Sequence, residues 1–232
     1  MTDLAETSLP AAYQTLSELL HTRYSCRAFL PQPLPRSTIE HILEVAQRTA
    51  SWCNAQPWQL TIVSGAALEH LRAALRAHVA EAQPDPDRPW PGEYRGVYLQ
   101  RRRECGWGLY QALGIAKDDR AASQRQAAQN YTMFGAPHLA IVTSDAALGV
   151  YGAVDCGAYV ANFMLAAHSL GVGSIAQAAL AAYPQVLRAQ LGIGTERTIV
   201  CGISFGLADT EHPANQFRTS RAPIADAVHW RE

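Results

Sequence analysis

Three short runs of strand-forming residues, WQLTIVS (58–64), HLAIVT (138–143) and TIVCGISF (198–205), stand far apart in the chain. Tight hairpins cannot join strands that distant, so any sheet they build must form by long-range pairing, with the intervening segments packed around it. Those segments read mostly as helices. Residues 11–21 lead into His21-Thr22-Arg23-Tyr24-Ser25-Cys26-Arg27, and three prolines in FLPQPLPRS then forbid a helix interior. Ser37-Thr38-Ile39-Glu40 has the pattern of a capping box. Behind it Ile39, Ile42, Leu43 and Ala46 recur at helical spacing, which predicts an amphipathic helix over 38–49. Further helices are expected over 66–80, 93–113, 119–130, Ala153–Leu170 and Tyr183–Leu191. Residues 50–57, the proline-rich stretch 83–92 and GVGSIAQ (171–177) read as loops, and 207–232 as a polar tail. The class is α/β or α+β, in a single domain over 1–232.

Composition narrows the function. Nineteen Lys and Arg against 20 Asp and Glu give a net charge of −1, which argues against a basic coat for nucleic acid. The most apolar stretch, Ala153 to Leu180, is interrupted by Asp155, Asn162 and His168, so no membrane span is expected. MTDLAETSLP has neither a basic n-region nor an apolar h-region, so no secretory signal is expected. Five scattered cysteines (Cys26, Cys53, Cys105, Cys156 and Cys201), with no C-x-x-C pair, read as reduced thiols in a cytoplasmic protein. The eight scattered histidines show no metal-ligand spacing, so no metal is expected. Lys117 is the sole lysine and sits in polar AKDDR, which disfavours Schiff-base chemistry. An anionic ligand must therefore be held by arginine, backbone amides or helix ends.

Two familiar motifs fail on context. Gly171-Val172-Gly173-Ser174-Ile175-Ala176 matches G-x-G-x-x-G/A but follows a helix, and Leu191 to Ile193 stand where an acid is needed. A helix C-cap and turn explains it better. Gly202-Ile203-Ser204-Phe205-Gly206 matches G-x-S-x-G but precedes LADTEHPAN rather than a helix. Glycines in an interior strand, where close packing excludes side chains, explain that one. On the helix from Ala153, small residues (Ala153, Gly157, Ala158, Ala161) predict a close approach to another backbone, in the core or at a subunit interface.

Three strings carry more. Arg23-Tyr24-Ser25-Cys26-Arg27 places two guanidinium forks and a hydroxyl within five residues, a set suited to phosphate, although surface arginines in ordinary ion pairs fit too. Arg218-Thr219-Ser220-Arg221 repeats it near the other end. Whether the two ends meet is not given by spacing. Ser51-Trp52-Cys53-Asn54-Ala55-Gln56-Pro57-Trp58 puts two amides and two tryptophans into a loop before a strand, fit for a planar heterocycle with mixed donor and acceptor edges, or for filling the core.

Together these strings resemble the FMN-dependent nitroreductase family. Arg23 to Phe29 looks like its N-terminal R-x-S-x-R/K-x-F motif, Ser51 to Trp58 like its P-S-S/W-x-N-x-Q-P-W string, and Asn215 to Arg221 like its closing arginine motif. The long helix with Asp155 and Asn162, followed by LGVGSIAQAAL, fits as well, and the resemblance spans roughly 13–229. It implies an α+β fold in three layers, with a central, mostly antiparallel sheet flanked by helices, and an intertwined homodimer with two FMN sites built from both subunits. Carried over, Arg23 and Arg221 would clasp the FMN phosphate, with Arg218 in the same closing motif and Ser25 beside it. Arg27 would reach the pyrimidine side or ribityl chain. Ser51 and Asn54 would contact the flavin from the partner chain, and Ala176, Gln177 and Ala178 would line the dimethyl-to-N5 edge. Ala50 stands where the family often has proline, and Gln177-Ala178 where some members carry a glutamate. Residues 83–130 form a variable segment expected to cover the site, with Trp90, Tyr94, Tyr98, Trp107 and Phe134 as substrate-contact or core residues.

The implied activity is ping-pong hydride transfer from NADH or NADPH through flavin N5 to a small aromatic acceptor, a nitroaromatic or quinone. No side chain in the sequence demands a catalytic acid or base role. Other reactions on the same fold (reductive dehalogenation, flavin fragmentation), a non-catalytic FMN-binding protein, and a hydrolase at Ser204 remain as alternatives.

Overall fold

The protein is described here by a computed structural model covering residues 9–232. Residues 1–8, on which most of the reading of the N-terminus rests, lie outside the described residues.

The three strand runs form β1 (Gln59–Ser64), β2 (His138–Asp145) and β4 (Arg197–Gly206). A fourth strand, β3 (Gly173–Gln177), corrects the reading of GVGSIAQ as a loop. It is legible only from its partner: Gly173 to Gln177 pair with Gly206 to Gly202, and the glycines that weaken the strand pattern are required by close packing. A Cβ at Gly173 would lie 3.1 Å from both Cys26 Sγ and Ala208 Cβ. The glycine just before it, Gly171, ends the preceding helix with φ +72, as the C-cap reading expects. The sheet has the order β1-β2-β4-β3 and every pairing is antiparallel.

Helices cover both faces. On one side α2 (Arg36–Ala46) and α6 (Gly149–Ser169) pack Ile42, Tyr159 and Phe163 against Ala140, Val142 and Phe205. On the other, α3 (Gly65–Glu81) and α7 (Pro184–Leu191) pack Leu68, Leu71, Leu75 and Leu187 against Leu139 and Ile141. Because β2 sends alternate residues into each cluster, it reads as a continuous apolar run. The result is the expected three-layer α+β arrangement. The helix of 38–49 begins earlier than expected: α2 starts at Arg36 behind Pro35, with no side-chain cap hydrogen bond. Glu40 is drawn instead to Arg36 (Nε–Oε1 2.7 Å), so the capping box does not form.

Around this frame run α1 (Ala11–Thr22), α4 (Gly96–Ala112), α5 (Arg120–Ala128) and the short α8 (Pro213–Gln216). Residues 146–169 are long and apolar enough to cross a membrane by length and composition, but α6 buries one face of that stretch against the sheet.

Candidate functional site

The two arginine segments meet. Leaving α1, the chain passes Arg23 and Tyr24 and pairs with the edge of β3, where Cys26 N–H donates to the Ser174 carbonyl (3.0 Å). The C-terminal segment returns alongside, and a cleft of about 870 Å³ is lined by Arg23, Ser25, Arg27, Arg218, Thr219 and Arg221 together with residues of α1 and α4. Among the described residues no carboxylate lines it. A contiguous recess of about 730 Å³ shares Arg218 and Arg221 and is walled by Val97, Gln100, Arg101, Glu104 and Cys105 of α4. Of the segment 83–130, one face of α4 borders the two recesses, and Cys105 alone reaches the arginine cleft.

The electrostatics of the cleft are those of an anion site. Arg23 Nη1 is buried without a hydrogen-bond partner among the described residues. Burial, and after it the charge of Arg221, pull the Arg23 guanidinium below the ordinary arginine range. Burial does the same to Arg27. Cations held this close repel until an anion sits between them. Arg218 is more committed: it lies 3.8 Å over the Tyr24 ring and donates to the Asn215 and Phe217 carbonyls.

The edge of β3 adds donors. Because the Ser174 carbonyl faces outward to Cys26, the strand alternation turns the N–H and C=O of Ala176 to the same open edge. Ala176 and Ala178 are exposed there, whereas the Gln177 side chain is buried. Its Nε2 donates to the Asn130 carbonyl (2.9 Å), and its Oε1 accepts from Ser204 Oγ. Gln177 can therefore meet a ligand only through its backbone. The same bond disposes of the hydrolase reading: Ser204 is 0% exposed and bound to an amide. Its flanking glycines serve packing, since a Cβ at Gly206 would lie 2.6 Å from Pro137 Cδ.

Ser51 and Asn54 lie apart from the arginines within one chain. Their loop is strained, with Cys53, Asn54 and Gln56 at φ of 51, 55 and 47. Asp155 of α6 accepts the Trp52 N–H (3.2 Å), and Asn162 of α6 donates to Thr49 Oγ1 (2.8 Å). Ser51 Oγ accepts the Gln56 N–H (2.9 Å). The loop borders a recess of about 320 Å³ that includes Trp52, Tyr151 and Asp155 and none of the arginines. Of its tryptophans, Trp58 fills the core at 6% exposure, while Trp52 stands 58% exposed.

Sequence reasoning missed several elements. The sequence carries no separate signal for buried Asn215 or for the loop anchor Asp155, which stand there only inside longer motifs. His138 is buried in β2: Leu34 N–H donates to its Nε2 (2.8 Å) and its Nδ1 pairs with Ser64 Oγ (2.6 Å). None of Trp90, Tyr94, Tyr98, Trp107 and Phe134 lines the arginine cleft, and Phe134 is in the interior. Among the described residues no His, Cys, Asp and Glu cluster suits a metal.

Against this geometry, the Nitroreductase family profile matches residues 20–207. The chain belongs to the nitroreductase family. It is 35% identical over 218 residues to the nitroreductase NfnB of Mycolicibacterium smegmatis, a match spanning 94% of this chain and 93% of that protein. A 4-nitrobenzoate reductase of a Nocardioides species is 35% identical over 228 residues, spanning 94% of this chain and 90% of that protein. The crystal structure of the FMN-dependent nitroreductase NfnB from Mycobacterium smegmatis in complex with NADPH aligns with a TM-score of 0.91, covering 95% of this chain and all of that one. For a nitroreductase-family chain, the orphaned guanidinium and the acid-free cleft fit the phosphate of FMN, and the open β3 edge fits a planar ring system with a hydrogen-bonding rim.

Proposed function

We propose that this nitroreductase-family protein is an FMN-dependent NAD(P)H oxidoreductase that reduces nitroaromatic or quinone-like acceptors. The observation that carries the reading is the cleft shared by Arg23, Arg27, Arg218 and Arg221, with a buried Arg23 Nη1 lacking a partner among the described residues. It is supported by relatives that are nitroreductases and 4-nitrobenzoate reductases and by similar structures of FMN- and NADPH-dependent nitroreductases.

Arg23 and Arg221 hold the phosphate, and Ser25 offers a hydroxyl beside them. Arg27 lies further along the same cleft, suited to neutralise negative charge on the pyrimidine side. Ala176, Gln177 and Ala178 present backbone groups to the ring edge. When bound, FMN supplies the hydride chemistry, accepting from NADH or NADPH and delivering to the acceptor. The chain's own residues bind, orient and tune; none is assigned as a catalytic acid or base.

A homodimer completes the site in this reading. Tyr13, Leu16 and Leu20 of α1 and Val150, Tyr151 and Val154 of α6 are exposed apolar residues that a second subunit could cover. Gly157 faces open space, consistent with close approach of a second backbone. Ser51 and Asn54 would then serve the partner's flavin. The five free cysteines support a cytoplasmic location, and the domain is read as one unit over 1–232.

The test is two-substrate kinetics with NADPH and 4-nitrobenzoate on protein of measured flavin content. Parallel double-reciprocal lines and one FMN per chain support the reading. No nitroaromatic turnover by a flavin-loaded protein would reduce it to flavin binding.

A further inference from the structure

Asn215 lies in α8, one residue before its end, and is 2% exposed. Its side chain makes three hydrogen bonds, all to backbone. Oδ1 accepts the Arg27 N–H (2.7 Å), and Nδ2 donates to the Ala28 carbonyl (2.8 Å) and to the Asp209 carbonyl (2.7 Å). Its own carbonyl accepts from the Arg218 guanidinium. One residue therefore fixes the backbone at Arg27 and steadies Arg218, two arginines from segments almost a chain length apart.

The place it occupies is a bend. Ser25 pairs with Ser174 on the β3 edge, but Phe29 pairs with Ala208 beyond β4. Between them the chain leaves β3, and the Asn215 amide fills the turn. That departure keeps the Ala176 edge open. A buried amide with both N–H groups and its oxygen used defines its surroundings tightly, because removing it strands three backbone groups away from water.

We propose that Asn215 is the positioning residue that assembles the anion cleft, joining the N-terminal and C-terminal arginine segments so that their guanidinium groups converge on one phosphate. The inference rests on the reading of the cleft as an FMN phosphate site. Asn215 touches no ligand itself; it acts through Arg27, Arg218 and the path of the chain between Arg23 and Ala28.

The experiment compares FMN with riboflavin, which has the same ring and no phosphate, by fluorescence titration of the full-length protein freed of flavin. Wild type, Asn215→Ser and Asn215→Asp are measured beside thermal melts. Asn215→Ser keeps a small polar group in the space, and Asn215→Asp keeps the shape and the acceptor for Arg27 but loses both donors. The wild type should prefer FMN strongly. In both variants that preference should fall about 10-fold or more, with FMN affinity falling further than riboflavin affinity, which keeps only the ring contact assigned to Arg27. An unchanged preference for FMN overturns the proposal. Parallel loss of both ligands also overturns it, because it marks Asn215 as a support of the fold alone. A wild type that binds both flavins equally brings down the phosphate reading of the cleft itself, before any variant is compared.

Discussion

Arg221 is exposed and spends Nη1 on Thr219 Oγ1 and the Ser220 carbonyl (both 2.8 Å), yet its charge is felt by the half-buried Arg23. Those are the two residues that the phosphate reading depends on most. A charge-assisted hydrogen bond is worth about 1.5–3 kcal/mol, so Arg221→Ala should weaken FMN binding about 10- to 100-fold. Flavin content of the purified variant checks this, and wild-type content would remove Arg221 from the site. The sequence identified both arginine clusters as phosphate-suited, because two guanidinium groups within five residues are a local pattern. It did not bring them together, because their meeting depends on Asn215 and on the bend after Cys26, which no spacing rule encodes. Ser204 and Gly171 illustrate the opposite case: their motifs were visible, and their contexts were enough to discount them.

Among the elements, β2 and β4 were legible because apolar runs survive in strands buried on both faces, and the edge strand β1 because β-branched Thr61, Ile62 and Val63 stand in a row. β3 was not, since Gly173 replaces side-chain signal with a close approach to Cys26 and Ala208. The seat of the C-terminal segment on α4 follows from another glycine. A Cβ at Gly108 of α4 would lie 2.5 Å from Phe217 Cε2, so the bare helix surface seats the ring that immediately precedes Arg218. Gly108→Ala gains about 1 kcal/mol of helix propensity but overpacks this contact by about 1–3 kcal/mol. Its melting temperature should change little or fall slightly, while FMN affinity drops as Phe217 and the arginines behind it shift. Calorimetry beside a flavin titration separates the two effects, and unaltered FMN affinity would show that Phe217 does not set the arginine segment.

At the scale of the molecule, the sheet is tied to the α2 approach by buried His138, whose Nε2 accepts the Leu34 N–H and whose pKa burial pushes below the usual histidine value. His168, beside Arg23 and Arg218, is lowered too, by burial first and then by those charges. Protonation must break the Leu34 bond, so the unfolded chain takes up the proton more readily than the fold. Their contribution to stability is present above the unfolded histidine pKa of about 6.5 and is lost as pH falls through the lower folded values. The melting temperature should therefore decline on acidification from pH 7.5 to 5. In His138→Gln, where a neutral amide oxygen can still accept from Leu34, that decline should be shallower. An identical pH slope in the variant would contradict the assignment.

The most direct measurement is the visible absorption spectrum of the purified protein under anaerobic conditions, before and after NADPH or NADH. Flavin bands that bleach on addition of nucleotide, and return when a nitroaromatic is added, are the predicted result. A colourless protein that also fails to take up added FMN would contradict the account.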